Sequence, residues 1–158
     1  MKKIFSLFAI CGLLFGCGFS PLYSGAQNID VYVPPISGTN GIDLRNALNA
    51  KFGDVRGPDA RYTLVVQLAD PITSFKAIQS TGDATWQEVQ LRASYVLKMG
   101  KVEIAKGSES ASESYNFVRY LVAATASYNS AVQNTITVLA EKIGTRVIAE
   151  TNNQTPEK

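Results

Sequence analysis

From Thr85 to Met99 the chain alternates between apolar and polar residues. Val89, Leu91, Ala93, Tyr95, Leu97 and Met99 point one way, and Glu88, Gln90, Arg92, Ser94 and Lys98 point the other. A period of two belongs to a strand with one face on a core; a helix would repeat its apolar residues every ~3.6 positions. Gly100-Lys101 follows, a two-residue hairpin turn whose leading glycine suits type II′ geometry. Val102 therefore opens a partner strand that runs through Ile104 and ends near Tyr115-Asn116-Phe117-Val118. Its middle, GSESASES at 107–114, admits two readings. One is a flexible loop of low complexity. The other is an exposed strand whose small and charged residues keep a sheet edge from pairing with other chains.

The rest of the chain supplies shorter elements. Ile29-Asp30-Val31-Tyr32-Val33 alternates and is rich in β-formers, and Pro34-Pro35 ends it. Asn40 is placed to cap a helix with Asp43 near its N-terminus. Ile42, Leu44, Leu48 and Phe52 recur at helical spacing, Arg45, Asn46, Asn49 and Lys51 face outward, and Gly53 stops the run. Arg61 to Leu68 alternates again, with Tyr62, Leu64, Val66 and Leu68 on one face. Pro71 interrupts that strand, and Thr73 to Ser80 resumes it, as expected of an edge or bulge. From Ser127 to Glu150, Val132, Ile136, Leu139, Ala140, Ile143 and Val147 form one helical stripe. Ser130 with Gln133 resembles a capping box, and Gly144 lowers the helix's intrinsic stability by ~1 kcal/mol. The expected fold class is α+β: two helices packed on one face of a four-stranded mixed or antiparallel sheet. The opposite sheet face is polar and rich in small residues, fit for water or a partner.

The N-terminus carries an address. Met1-Lys2-Lys3 is basic, and Ile4–Phe15 is a short apolar run, well under the ~20 residues that span a bilayer. Such a segment is a secretory signal. It breaks at Leu14-Phe15-Gly16-Cys17, which resembles a bacterial lipobox, with Phe15 larger than usual. Cys11 fits less well, because Ile10 precedes it where a small residue is needed. The resemblance implies cleavage after residue 16 and acylation of Cys17. Three acyl chains at ~0.8 kcal/mol per buried methylene hold a protein far more firmly than one. Gly18 after the cysteine, rather than Asp, implies the outer membrane by likeness to enterobacterial sorting. The expected organisation is a signal peptide at 1–16, a lipidated tether at 17–28, an α+β domain at 29–150 and a polar, disordered tail at 151–158. Without Lys2 and Lys3 the 15 basic residues fall to 13, equal to the 13 acidic ones. That balance gives no support for nucleic-acid binding, and with Cys17 acylated no internal disulfide is possible.

Catalytic chemistry has little to work with. The chain has no histidine, the commonest general base and metal ligand. It has no GxSxG or SxxK motif and no phosphate-cradling glycine loop. Asp30, Asp43, Asp54, Asp59 and Asp70 are scattered singly, as solvated carboxylates are. We expect no enzyme, no cofactor and no metal site.

Cys17-Gly18-Phe19-Ser20-Pro21-Leu22-Tyr23 resembles the mature N-terminus of the LPS-assembly lipoprotein family, LptE, in its alphaproteobacterial branch. Ala111-Ser112-Glu113-Ser114-Tyr115-Asn116 and Val138-Leu139-Ala140-Glu141-Lys142-Ile143 are similar to that branch too. The resemblance implies a lipoprotein that sits in the lumen of the outer-membrane barrel LptD, assists its assembly, and binds lipopolysaccharide during delivery to the outer leaflet. Its fold, two helices on a four-stranded sheet, agrees with the reading above. The family's lipid-contacting cations match no motif here. The chain's own candidates for lipopolysaccharide contact are Lys98, Lys101 and Lys106 around the Gly100 hairpin, with Arg92 on the same strand face as Lys98. An ordinary solvated hairpin tip is the plainer account of them. Tyr115, Phe117, Tyr120 and Tyr128 either grip a barrel wall or close the core, and Trp86 either meets a partner or ends a core strand. The alternative function is a free-standing periplasm-facing lipoprotein that binds a lipid or small ligand in a pocket between helices and sheet.

Overall fold

The structure, a computed structural model, describes residues 29–53, 55–78, 84–116 and 120–154. Cys17, the signal and tether segments, Phe117, Val118 and the last four residues of the tail lie outside the described residues. The elements are β1 (Val31–Tyr32), α1 (Thr39–Phe52), β2 (Tyr62–Leu68), β3 (Ile72–Ile78), β4 (Ala84–Met99), β5 (Val102–Asn116) and α2 (Leu121–Asn153).

The alternating run from Thr85 to Met99 became the spine of the sheet, with β4 starting one residue earlier at Ala84. β5 pairs antiparallel along the whole of one edge of β4, from Trp86↔Asn116 to Met99↔Val102. On the other edge β2 covers Ala93–Met99 and β3 covers Ala84–Gln90, both antiparallel. β1 adds parallel to β2, with Val31 beside Tyr62. The sheet thus has five strands, where four were expected, but they lie in four lanes: β2 and β3 share one. Pro71 has no N–H to give a ladder, so pairing lapses there. The Ala69 N–H still donates to the Arg92 carbonyl at 2.9 Å, which carries the lane across the gap.

One core lies between the sheet and the helices. Val89, Leu91, Ala93 and Leu97 of β4 and Leu64 and Val66 of β2 meet Leu44, Leu48 and Phe52 of α1 and Val132, Ile136, Leu139, Ile143 and Val147 of α2. α2 lies over β4 and β5 and beside α1. The two helices run parallel. Gln133 Nε2 donates to Asp43 Oδ2 at 2.7 Å, and eight residues on in both helices Lys51 pairs with Glu141. Gly144 allows the close approach: a Cβ there would stand 2.7 Å from Lys51 Cγ.

Several local expectations are corrected. α1 starts at Thr39 with Gly38 in the cap position and no side-chain cap bond, so Asn40 is inside the helix. Asn49, expected outside, is 4% exposed. α2 starts at Leu121, before Ser127, so Ser130 and Gln133 are mid-helix and form no capping box; Gln133 serves the helix pair instead. The helix also runs three residues past Glu150.

Candidate functional site

Among the described residues, no element covers the sheet face turned away from the helices. Residues directly opposite one another share a face. Glu88 is opposite Ser114, Gln90 opposite Ser112, Arg92 opposite Ser110 and Ser94 opposite Ser108. Gln67 of β2 continues the row beyond Ser94. The stretch GSESASES is therefore strand, and its serines form a ladder along the outer face. Ser108, Ser112 and Ser114 are exposed, as are Arg92, Ser94 and Gln67. Short hydroxyl side chains leave the surface flat and supply donors and acceptors but little apolar area. Towards β3 the row closes with a Lys76–Glu88 ion pair at 2.9 Å.

β5 is an edge strand, and α2 guards part of its edge. Lys142 Nζ donates to the Ser110 carbonyl at 2.7 Å, and Arg146 pairs with Glu109 at 3.2 Å. Cations over an edge hinder pairing with another chain. Beneath them Tyr95 lies across Gly107, its ring where a side chain would otherwise stand. Burial first, then the Glu109 carboxylate, holds the Tyr95 hydroxyl above its ordinary range.

The candidate cations are split. Lys98 is opposite Glu103 and Lys106 opposite Val96, both on the outer face, and Lys101 is in the turn. Lys106 also reaches Glu103 at 3.7 Å. These three lysines gather at one end of the sheet. Arg92 is six residues along β4 from Lys98, about 20 Å at strand rise, so it belongs to the serine ladder rather than to the hairpin. The chain enters beside the same hairpin: the Ile29 N–H donates to the Phe52 carbonyl at 3.1 Å, Val31 pairs with Tyr62, and Tyr62 pairs with Met99.

The aromatic residues divide as well. Tyr115 is core: its hydroxyl donates to Gln87 Oε1, and its ring meets Tyr128 edge-on at 5.9 Å. Burial, then Tyr128, raises the Tyr115 hydroxyl above its usual range. Tyr120 is 81% exposed and Trp86 is 47% exposed. Phe75, which the sequence reading did not single out, is 67% exposed. It sits on a core-facing row opposite Gln87, but α1 is too short to cover β3 there. Although α2 has 33 residues, no helix among the described residues is long and apolar enough to cross a membrane.

No protein-family model matches the chain, and no curated protein sequence does. Solved structures do share its fold. A candidate lipoprotein of Caulobacter crescentus superposes with a TM-score of 0.62 at 21% identity, covering 85% of this chain and 97% of that one. Rare lipoprotein B of Shewanella oneidensis gives 0.58 at 14% identity, over 80% and 98% of the two chains. The uncharacterized lipoprotein B of Nitrosomonas europaea gives 0.54 at 14% identity, over 87% and 97%. The chain thus has a fold found in solved bacterial lipoproteins, which it spans almost end to end.

Proposed function

We propose that this chain is an outer-membrane lipoprotein of the LptE type, anchored through Cys17 on the periplasmic side. In this reading it seats in the LptD barrel, assists the barrel's assembly and helps deliver lipopolysaccharide to the outer leaflet. It acts by binding, not by catalysis. The observation that carries the reading is the outer face of the sheet, uncovered among the described residues. One face packs against two helices, while the other presents Ser94, Ser108, Ser112 and Ser114 in a flat polar ladder. The lumen of a membrane barrel is polar, and a polar wall meets such a face through hydrogen bonds and water rather than through apolar contact. The fold shared with rare lipoprotein B supports the same reading. The lysines of the Gly100 hairpin are the cations this reading offers to lipid phosphates.

The test is a pull-down of the chain, tagged after Lys158, from detergent-solubilised outer membranes, with mass spectrometry of what accompanies it. A large barrel recovered at equal stoichiometry supports the assignment. A lipidated, folded chain recovered without a barrel refutes it and leaves the free-standing ligand-binding lipoprotein.

A further inference from the structure

We infer that, before the domain joins a barrel, its β4–β5 hairpin end rests on the anionic surface of the bilayer that holds its own lipid anchor, so that the domain stands with its hairpin inward. The inference rests on the anchor at Cys17 and adds an orientation to it. Three observations support it. First, the chain leaves the domain at this end, since Ile29 is tied to Phe52 and β1 starts beside Tyr62, the partner of Met99. The twelve residues from Cys17 to Asn28 span at most ~40 Å even fully extended. The sixteen residues of β4 alone measure about 50 Å. The anchor therefore reaches the hairpin end readily and falls short of the far end, where Trp86 and Leu121 lie.

Second, the chemistry of the tip suits a headgroup layer. Met99 and Val102 face each other across the turn, and Val102 is 62% exposed. Lys98, Lys101 and Lys106 flank this apolar pair. Cations around a small apolar tip are the composition that settles at a charged membrane interface. Third, two acidic groups at this end have partners: Glu103 reaches Lys106 at 3.7 Å, and Asp30 Oδ2 accepts the Arg61 backbone N–H at 2.8 Å. Arg61 adds a further cation, its guanidinium over the Tyr62 ring at 5.3 Å.

The experiment uses the mature lipidated chain reconstituted in vesicles of phosphatidylethanolamine and phosphatidylglycerol. With Cys17 acylated, a cysteine introduced by Val102→Cys or by Val122→Cys is the sole thiol for a fluorophore. Energy transfer to an acceptor on the lipid headgroups reports height above the bilayer. The expected result is several-fold stronger transfer from position 102 than from 122. That difference should shrink in the Lys98→Gln/Lys101→Gln/Lys106→Gln variant, in phosphatidylcholine vesicles, and at ~1 M salt, where the Debye length falls to ~3 Å. Equal transfer from both positions, stronger transfer from 122, or a difference indifferent to charge would overturn the orientation. Flotation of Cys17→Ser with the vesicles as well as the wild type would instead overturn the anchor, and the orientation with it.

Discussion

Replacing Gly107 by alanine sets two effects of opposite sign against each other. Glycine inside a strand costs ~0.5–1 kcal/mol relative to alanine, so the substitution should stabilise an open position by that amount. Position 107 is not open. A Cβ there lies 2.6 Å from Tyr95 Oη, 2.8 Å from Cζ and 3.0 Å from Cε1. The Tyr95 ring is packed in the core and cannot swing aside freely. Overpacking of this kind costs ~1–3 kcal/mol. The clash wins, and Gly107→Ala should destabilise by ~1–2 kcal/mol, a fall of several degrees in Tm for a domain of this size. The decisive comparison is a double-mutant cycle. In a Tyr95→Val background the ring is gone, and Gly107→Ala should change sign and stabilise by ~0.5–1 kcal/mol. Thermal and denaturant unfolding of the four proteins supplies the cycle. Alanine at 107 raising Tm in the wild type, or having the same effect in both backgrounds, would refute the reasoning.

Three further outcomes are expected. Gly144→Leu improves the intrinsic helix propensity of α2 yet should destabilise by ~1–3 kcal/mol, because it drives α2 off Lys51 and with it the Lys51–Glu141 and Asp43–Gln133 links; denaturant midpoints test it. Tyr95 and Tyr115 are held above 10.0 by burial in the folded chain, so the unfolded chain loses these protons first. Their stability contribution should be complete below about pH 10 and decline as pH rises further, with Tyr95→Phe and Tyr115→Phe each flattening the decline in unfolding midpoints measured across that range. Ser112→Trp, on the exposed serine ladder, should leave stability within ~0.5 kcal/mol while abolishing recovery of the barrel in the pull-down; full recovery would count against the ladder as the contact face.

The long strand was legible because its code is simple. Val89 to Leu97 alternates without a break, and every odd position is buried. The core stripe of α2 was equally plain from Val132 to Val147. Its first turns were not, because Leu121 and Val122 are exposed and bury no face, so periodicity had nothing to report. Pro71 was read correctly as an interruption, with the strand resuming in the same lane, but composition could not tell one bent strand from two. The serine ladder could be read either as loop or as strand; the pairing partner across from it, not its own residues, decides. The grouping of the hairpin lysines followed from short sequence distance, whereas the separation of Arg92 from them needed the rise of the strand. The contacts of Gly107 with Tyr95 and of Gly144 with Lys51 are invisible in the sequence, since glycine announces only missing bulk and not what comes to fill it.

The parallel pairing of α1 and α2 also sets a schedule. Both links between them join residues 90 positions apart, and the second helix is the last element of the chain. Until α2 is made, the inner faces of β4 and β5 lack most of their cover. A chain emerging N-terminus first therefore cannot close its core before its final thirty or so residues are available. Contacts of such long range also slow closure once they are possible. Under the proposed function, in which the chain crosses a membrane as an extended thread, late closure keeps it from locking into shape on the wrong side.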